Sequence, residues 1–314
     1  MGWFHRRDTS VLLILLLMSF GAAASGLSAR HAQPEIPDKL NVAPGVESVE
    51  VTRLAANGEK DEVRLAAARY DERGRVVERD SFSDGTFQWR SLFEYDERGL
   101  LTRWRSVDAD GREQWEYRYR YDEYGRLERE VSYDSFGDMD GMQTYEYDGL
   151  QLLEEAVYGG TGALQWSRIY EYETDRTERR WRLLYPDGGP VKTVTEYLDR
   201  FGRVVREHHR DETEQQGEVF RHDYDAAGRR VRTRVERPDG QSIRTIERSF
   251  NSAGDLTEEV RKEFAEELEQ IRRFEYRYDE QRNWTRRLEE VEVRRDGSVV
   301  REERELIERS LTYH

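Results

Sequence analysis

The chain has 314 residues, no cysteine and a formal net charge of −15, with 37% charged against 36% hydrophobic residues. Missing thiols exclude disulfides, thiol nucleophiles, thiolate metal sites and a cysteine-linked lipid anchor. The negative balance opposes phosphate backbones and anionic lipid, so nucleic acid is not an expected partner, while an aromatic share of 11% is too high for a disordered chain.

Residues 1–24 read as a signal peptide. Arg6 and Arg7 precede an apolar run from Val11 to Phe20, and Ala22-Ala23-Ala24 supplies the small-residue cleavage pattern. The run is short for a membrane span, which needs about 20 residues, so an uncleaved anchor is the lesser alternative. Cleavage removes Arg6, Arg7 and Asp8 and moves the net charge from −15 to −16. The mature protein is then expected in the periplasm, on the surface or outside a bacterial cell, without membrane insertion. Residues 25–45 hold Pro34, Pro37 and Pro44 and show no periodicity, which predicts an extended or disordered linker.

Residues 46–314 form one domain by the logic of repetition. A phrase beginning Tyr70-Asp71-Glu72-Arg73-Gly74 returns at Tyr95, Tyr121 and Tyr224, and in weaker form at Tyr147, Tyr172, Tyr197, Phe250 and Tyr278. The spacing stays between 25 and 28 residues, the mark of a repeat architecture. Within one unit, Trp115, Tyr117, Tyr119 and Tyr121 alternate with Glu116, Arg118 and Arg120, the period of a strand with one aromatic and one charged face. Asp122 suits the first position of a type I turn. Gly125 suits the fourth, where φ turns positive in a hairpin closed by a glycine bulge. Second turns at Asp84-Gly85, Asp110-Gly111, Asp187-Gly188, Asp239-Gly240 and Asp296-Gly297 fall between the phrases.

The predicted fold is therefore all-β: about nine hairpin units of ~26 residues, roughly 18 strands of an antiparallel meander. Strand twist should coil it into a spiral, an open barrel or a curled sheet. Basic residues are 47 Arg against four Lys. Arg pairs planar carboxylates with two prongs, which suits Arg–Glu ladders across strands; a GC-rich coding bias gives the same count. Residues 258–273 are ambiguous. Val260, Phe264, Leu268 and Ile271 fit helical spacing, while the repeat register favours a hairpin.

The phrase resembles the YD repeat of the RHS family, on Tyr70-Asp71-Glu72-Arg73-Gly74-Arg75 and Tyr121-Asp122-Glu123-Tyr124-Gly125-Arg126. The resemblance covers residues ~60–314. It implies β-hairpin ribbons in exported and cell-surface proteins, with carbohydrate binding attributed to some. The large relatives coil into a shell around a toxin. This chain shows neither an appended toxin domain nor a self-cleavage signature, so the shell-and-cargo role does not carry over.

Five tryptophans are the candidate ligand-binding residues. Trp89, Trp115 and Trp166 each lie six residues before a repeat tyrosine, and Trp104 and Trp181 lie nine after one. A row of indoles on a coiled sheet suits stacking on sugar rings; equally, such rings form the covered face of a sheet. His209 and His222 flank the turn at Gln216-Gly217 and are weak metal candidates, because two imidazoles meeting across a hairpin suit a transition metal. Asp134, Asp138 and Asp140 before Gly141 fail the spacing of a calcium loop and read as a roomy turn. Gly159-Gly160-Thr161-Gly162 lacks the helix a phosphate loop needs. No catalytic residue, cofactor or metal is expected. The sequence points to an exported, non-enzymatic repeat protein presenting a β surface to a carbohydrate or protein partner. The alternatives are an assembly protein associating through sheet edges or its aromatic face and, more remotely, a polysaccharide-active enzyme.

Overall fold

The computed structural model describes residues 42–54, 62–174, 177–212 and 217–314. The signal peptide, most of the 25–45 linker and Gln216 lie outside the described residues. Twenty antiparallel strands follow one another in chain order. The first seven are β1 (Val46–Leu54), β2 (Val63–Tyr70), β3 (Val76–Ser83), β4 (Thr86–Tyr95), β5 (Leu101–Val107), β6 (Glu113–Tyr121) and β7 (Leu127–Asp134). Then come β8 (Met139–Asp148), β9 (Gln151–Gly159), β10 (Leu164–Tyr172), β11 (Glu178–Leu184), β12 (Pro190–Leu198), β13 (Val204–Asp211) and β14 (Glu218–Tyr224). The last six are β15 (Arg230–Glu236), β16 (Ser242–Phe250), β17 (Leu256–Glu263), β18 (Leu268–Tyr278), β19 (Trp284–Arg295) and β20 (Ser298–Tyr313).

Each strand pairs with the next, and β20 returns to pair with β1 from Leu54↔Leu306 to Val46↔Tyr313. The sheet therefore closes into a barrel. Sequence reasoning left open a spiral, an open barrel or a curled sheet, and closure removes the free lateral edges on which edge-to-edge association was expected to rest. The ambiguous segment is a hairpin: Val260 sits opposite Ile271 in the β17–β18 ladder.

One local device recurs around the barrel. Asp71 caps its own turn, its Oδ1 accepting from the amides of Arg73 (3.0 Å) and Arg75 (2.9 Å). Gly74 closes the turn at φ +73°, a region that costs a side-chain-bearing residue about 1–2 kcal/mol. The ladder shifts register at Tyr70, as it does at Tyr95 and Tyr121, which is the predicted glycine bulge. Arg75 then binds Asp71 through Nε at 2.8 Å and lays its guanidinium 4.6 Å from the ring of Tyr95 in the next unit. The Tyr95 hydroxyl in turn donates to the Val76 carbonyl at 2.8 Å. Turn, arginine and next tyrosine thus form one inter-repeat lock. It returns as Asp122–Arg126–Tyr147 and Asp199–Arg203–Tyr224. Where Leu100 replaces the arginine, Arg98 reaches the carbonyls of Asp122 and Glu123 instead, at 3.4 Å each. In the penultimate unit the hydroxyl bond to Leu256 comes from Tyr276, two residues before the phrase tyrosine. The Asp134 turn is tight rather than roomy: Asp134 Oδ1 accepts from Phe136 and Asp138 at 2.9 and 3.0 Å.

Directly opposed residues share a face, so the ladder carries one inner wall around the barrel. Over β20, β1 and β2 that wall is apolar, with Val49, Val51, Ala66, Ala68, Tyr70 and Ile307 buried together. Over β4–β7 it is aromatic, built on Phe93, Leu101, Trp104, Tyr119 and Leu127. From β8 onward it turns polar. The outer wall carries the expected ladders. Arg103 grips Glu116 with two bonds of 2.8 Å, and Arg105–Glu94, Arg182–Glu171 and Arg232–Glu247 lie at 3.1, 2.6 and 2.8 Å. Glu116 is almost wholly shielded; the Arg103 bonds, with help from Arg118, outweigh its burial and hold its carboxyl down to about 2.

Candidate functional site

The polar inner wall of β7–β15 is the part of the molecule where hydrogen-bonding chemistry is concentrated away from solvent. Its residues alternate in phase with the aromatic face, so the same period-two pattern that makes Tyr119 point inward also turns Glu130, directly opposite it, inward. Glu130 faces Gln143 on the other side, and the Gln143 amide donates to Glu155 Oε1. Burial, followed by the charge of Glu155, pushes the Glu130 carboxyl up to about 7. Burial raises Glu155 too, opposed by Arg168 and Gln143.

Arg168 is the hub of the next stretch. Its Nη1 donates to Glu155 Oε2 at 2.9 Å and to the Tyr170 hydroxyl at 3.3 Å. Its guanidinium lies 4.8 Å from the Trp181 ring centre and 5.8 Å from that of Trp166. Trp181 Nε1 donates to Glu196 Oε1 at 3.0 Å, and Arg179 Nε donates to Glu196 Oε2 at 2.6 Å. Glu196 stands directly opposite Glu207 across β12–β13. Each of the two carboxyl groups has its own set of partners. Glu207 takes His222 Nε2 on Oε1 and His209 Nε2 on Oε2, each at 2.7 Å. Burial works against ionisation of Glu207, but these two bonds prevail and hold it down to about 2. An ionised Glu207 only accepts, so both imidazoles donate through Nε2. In its neutral form His222 then presents Nδ1 as the acceptor for the Thr233 hydroxyl, 3.1 Å away.

The sequence candidates are distributed over this wall. Trp104 and Trp115 meet edge to face at 4.7 Å, while Trp104 lies nearly parallel to Phe93 (5.8 Å, 20°) and Tyr117 (5.4 Å, 23°). The faces of Trp104 are thus taken up by Phe93 and Tyr117. Trp166 and Trp181 share the Arg168 guanidinium. Trp89 stands apart near the end of β4 and is 45% exposed. The five indoles therefore split into a stacked pair in which Trp104 is buried, a half-buried pair around Arg168 and one open ring, not one continuous platform. His209 stands opposite Glu218 rather than His222, and the two imidazoles share Glu207 instead of facing each other. Among the described residues no three His, Asp or Glu side chains are arranged to hold a metal ion. Sequence reading missed Glu130, Glu155, Arg168, Glu196, Glu207 and Thr233. Only Arg168 shares the parity of the aromatic residues on its own strand, Trp166, Tyr170 and Tyr172, so the others left no signal within their own strands.

Comparison with known proteins follows the same lines. The RHS Repeat family model matches residues 95–137, from Tyr95 through the Asp134 turn. No curated protein matches the chain. Among solved structures it is similar to a porin-like protein from Bacteroides uniformis, at 10% identity over 86% of this chain and 98% of that one, with a TM-score of 0.38. It is also similar to the Photorhabdus luminescens Tc holotoxin pore, at 12% identity over 80% of this chain and 18% of that one, TM-score 0.26. A TcdB2-TccC3-Cdc42 complex gives 11% identity, 84% and 20% coverage and a TM-score of 0.21. The chain spans about a fifth of those last two chains. Residues 95–137 thus carry an RHS repeat, and the same turn, bulge and tyrosine lock return elsewhere around the ladder.

Proposed function

We propose that the mature protein is an exported, non-catalytic repeat barrel that holds a glycan against its inner wall. The observation that carries this reading is the Glu130–Thr233 belt. Carboxylates, amides, guanidiniums and hydroxyls are interleaved with aromatic rings there, the mixture that meets sugar hydroxyls and sugar faces together. Barrels of 16–18 strands already leave an aqueous lumen, and this one has twenty. The outer wall is a lattice of ion pairs rather than an apolar band, which supports a barrel bathed in water on both sides over one inserted in lipid. Export rests on residues 1–24, and N-terminal sequencing of protein from the periplasmic and culture fractions tests it.

A glycan array probed with mature protein tests the binding reading. Saturable retention of at least one oligosaccharide class, weakened by Arg168→Gln, is the expected result. No saturable binding to any glycan, or equal retention of heat-unfolded protein, sinks it. An assembly role through sheet edges has lost its support with barrel closure, and a protein partner would have to use the turns or the charged outer wall.

A further inference from the structure

The inner wall changes character again over β16–β19, and the change is one of charge. Val235 on β15 is buried and stands opposite Arg244, Arg244 stands opposite Glu263, and Glu259 stands opposite Arg272, so these groups share the inner face. Their ion pairs form two short chains. Arg244 and Arg261 both donate to Glu263, at 2.6 and 2.7 Å. Arg248 holds Glu259 at 2.7 Å with Arg272 beyond it at 3.9 Å, and Arg272 also holds Glu289 at 2.8 Å with Arg287 at 3.6 Å. Five guanidiniums thus share three carboxylates, an excess of two positive charges on one wall of a protein whose net charge is −15.

Three further observations point the same way. Arg230, at the start of neighbouring β15, has Nε and Nη2 buried without a hydrogen-bond partner, and Arg287 has Nε in the same condition. Such donors also occur elsewhere in the barrel, at Arg206 and Arg234 among others, and each has capacity for one more acceptor. The arginine side chains also remain reachable: Arg244, Arg261 and Arg272 are 35%, 44% and 38% exposed, although they face inward. Finally, Phe274 is packed between Arg272 (5.2 Å) and Arg287 (5.8 Å), so an aromatic ring lies among the cations.

From this we infer that the β16–β19 wall is a binding surface for carboxylated sugar chains, polysaccharides built of uronic acids. A guanidinium fork matches a carboxylate in two-pronged geometry, and the pyranose ring between acid groups is suited to an aromatic side chain. On the outer faces of the same strands, Arg273 pairs with Glu258 and Glu292 at 3.3 and 3.5 Å. The inference rests on the glycan reading and sharpens it to one ligand class.

Isothermal titration of the full mature protein with an oligogalacturonate and with a neutral galacto-oligosaccharide of equal length tests both levels. The expected result is saturable binding of the acidic chain only. Its affinity should fall steeply between 50 and 300 mM salt, and at least tenfold in Arg261→Gln. Arg232→Gln on the outer wall should leave it unchanged. Circular dichroism and melting temperature confirm that each variant folds. If the neutral oligosaccharide binds as well as the acidic one, or Arg261→Gln and Arg244→Gln both bind like wild type, this inference is overturned and the glycan reading survives. If neither chain binds and the array is also silent, both are overturned.

Discussion

The hydroxyl of Tyr313 donates to the carboxylate of Asp279, across a separation of 34 positions. Asn283 donates to the same hydroxyl at 3.0 Å and accepts the Ala43 amide through Oδ1. Tyr313 therefore plays toward the Asp279–Asn283 turn the part that Tyr278, bonded to Asn251 and Asp255, plays toward the turn before it. This contact fastens β20 at the point where the barrel closes onto β1.

Deleting residues 311–314 should consequently do more than fray an end. It removes the β1–β20 pairs at Leu311, Thr312 and Tyr313 and exposes part of a strand edge. We expect a lower melting temperature and concentration-dependent association in sedimentation velocity. A truncated chain that stays monomeric and equally stable would show that the seam is held elsewhere. Tyr313→Phe, which removes only the exposed hydroxyl contact, should cost no more than about 1 kcal/mol.

Arg126 joins three elements: Asp122, the ring of Tyr147 at 4.4 Å and the Gly149 carbonyl. Its side chain is 11% exposed. Arg126→Ala should cost about 2–3 kcal/mol in urea denaturation, by losing packing along with charge-assisted bonds. Arg126→Lys should recover less than half of that loss, because an ammonium neither forks nor stacks. Equal stability of wild type and Arg126→Ala would remove the lock from the account of the fold.

Turn geometry gives a paired test of opposite sign. Gly99 sits at φ +87°, so Gly99→Val should cost about 1–2 kcal/mol. Arg282 occupies the corresponding place in the last unit at φ +67° without being glycine. Arg282→Gly should therefore stabilise the protein, by about 0.5–1 kcal/mol after the entropy cost of glycine in the unfolded chain. Loss of stability in Arg282→Gly would contradict the strain assigned to that turn.

Glu130 makes stability depend on pH in a definite direction. Its carboxyl titrates at about 7 in the fold against 4.5 ordinarily, so between those values the folded protein holds a proton that the unfolded chain has released. Stability therefore falls as pH rises through that window. Glu130→Gln removes the effect: it should match wild type near pH 4 and exceed it at pH 8 by roughly 2–3 kcal/mol. Urea melts at pH 4, 6 and 8 read this directly, and parallel pH profiles for the two proteins would refute it.

Tryptophan accessibility separates covered rings from open ones. Trp104 is 7% exposed and Trp89 45%. Acrylamide should quench one distinct accessible fraction, and Trp89→Phe should abolish most of it. Uniform quenching of all indoles would mean that the stacked pairs open in solution.

What could be read from the sequence was whatever the chain encodes within a few residues. Asp71 and Gly74 specify their turn and bulge locally, and alternation of Trp115, Tyr117 and Tyr119 specifies the strand, so unit, period and sheet class were legible. Residues 258–273 show the limit of local reading: Phe264 and Leu268 fit a helix, but ladders with β16 and β19 outweigh that preference. Closure was illegible because it depends on β20 pairing with β1, and no repeat signature marks that ladder. The polar inner wall was hidden for another reason. Glu130, Glu207 and Arg272 look like surface residues in a chain so rich in charge, and only the wrapping of the sheet turns their face inward.

Each lock joins a turn only to the tyrosine of the following unit, so nothing in it senses how many units the ring contains. Duplicating or deleting one whole unit would preserve every such contact and change only the bore, by two staves of the cask. The size of the enclosed space is thus an inheritable quantity set by copy number.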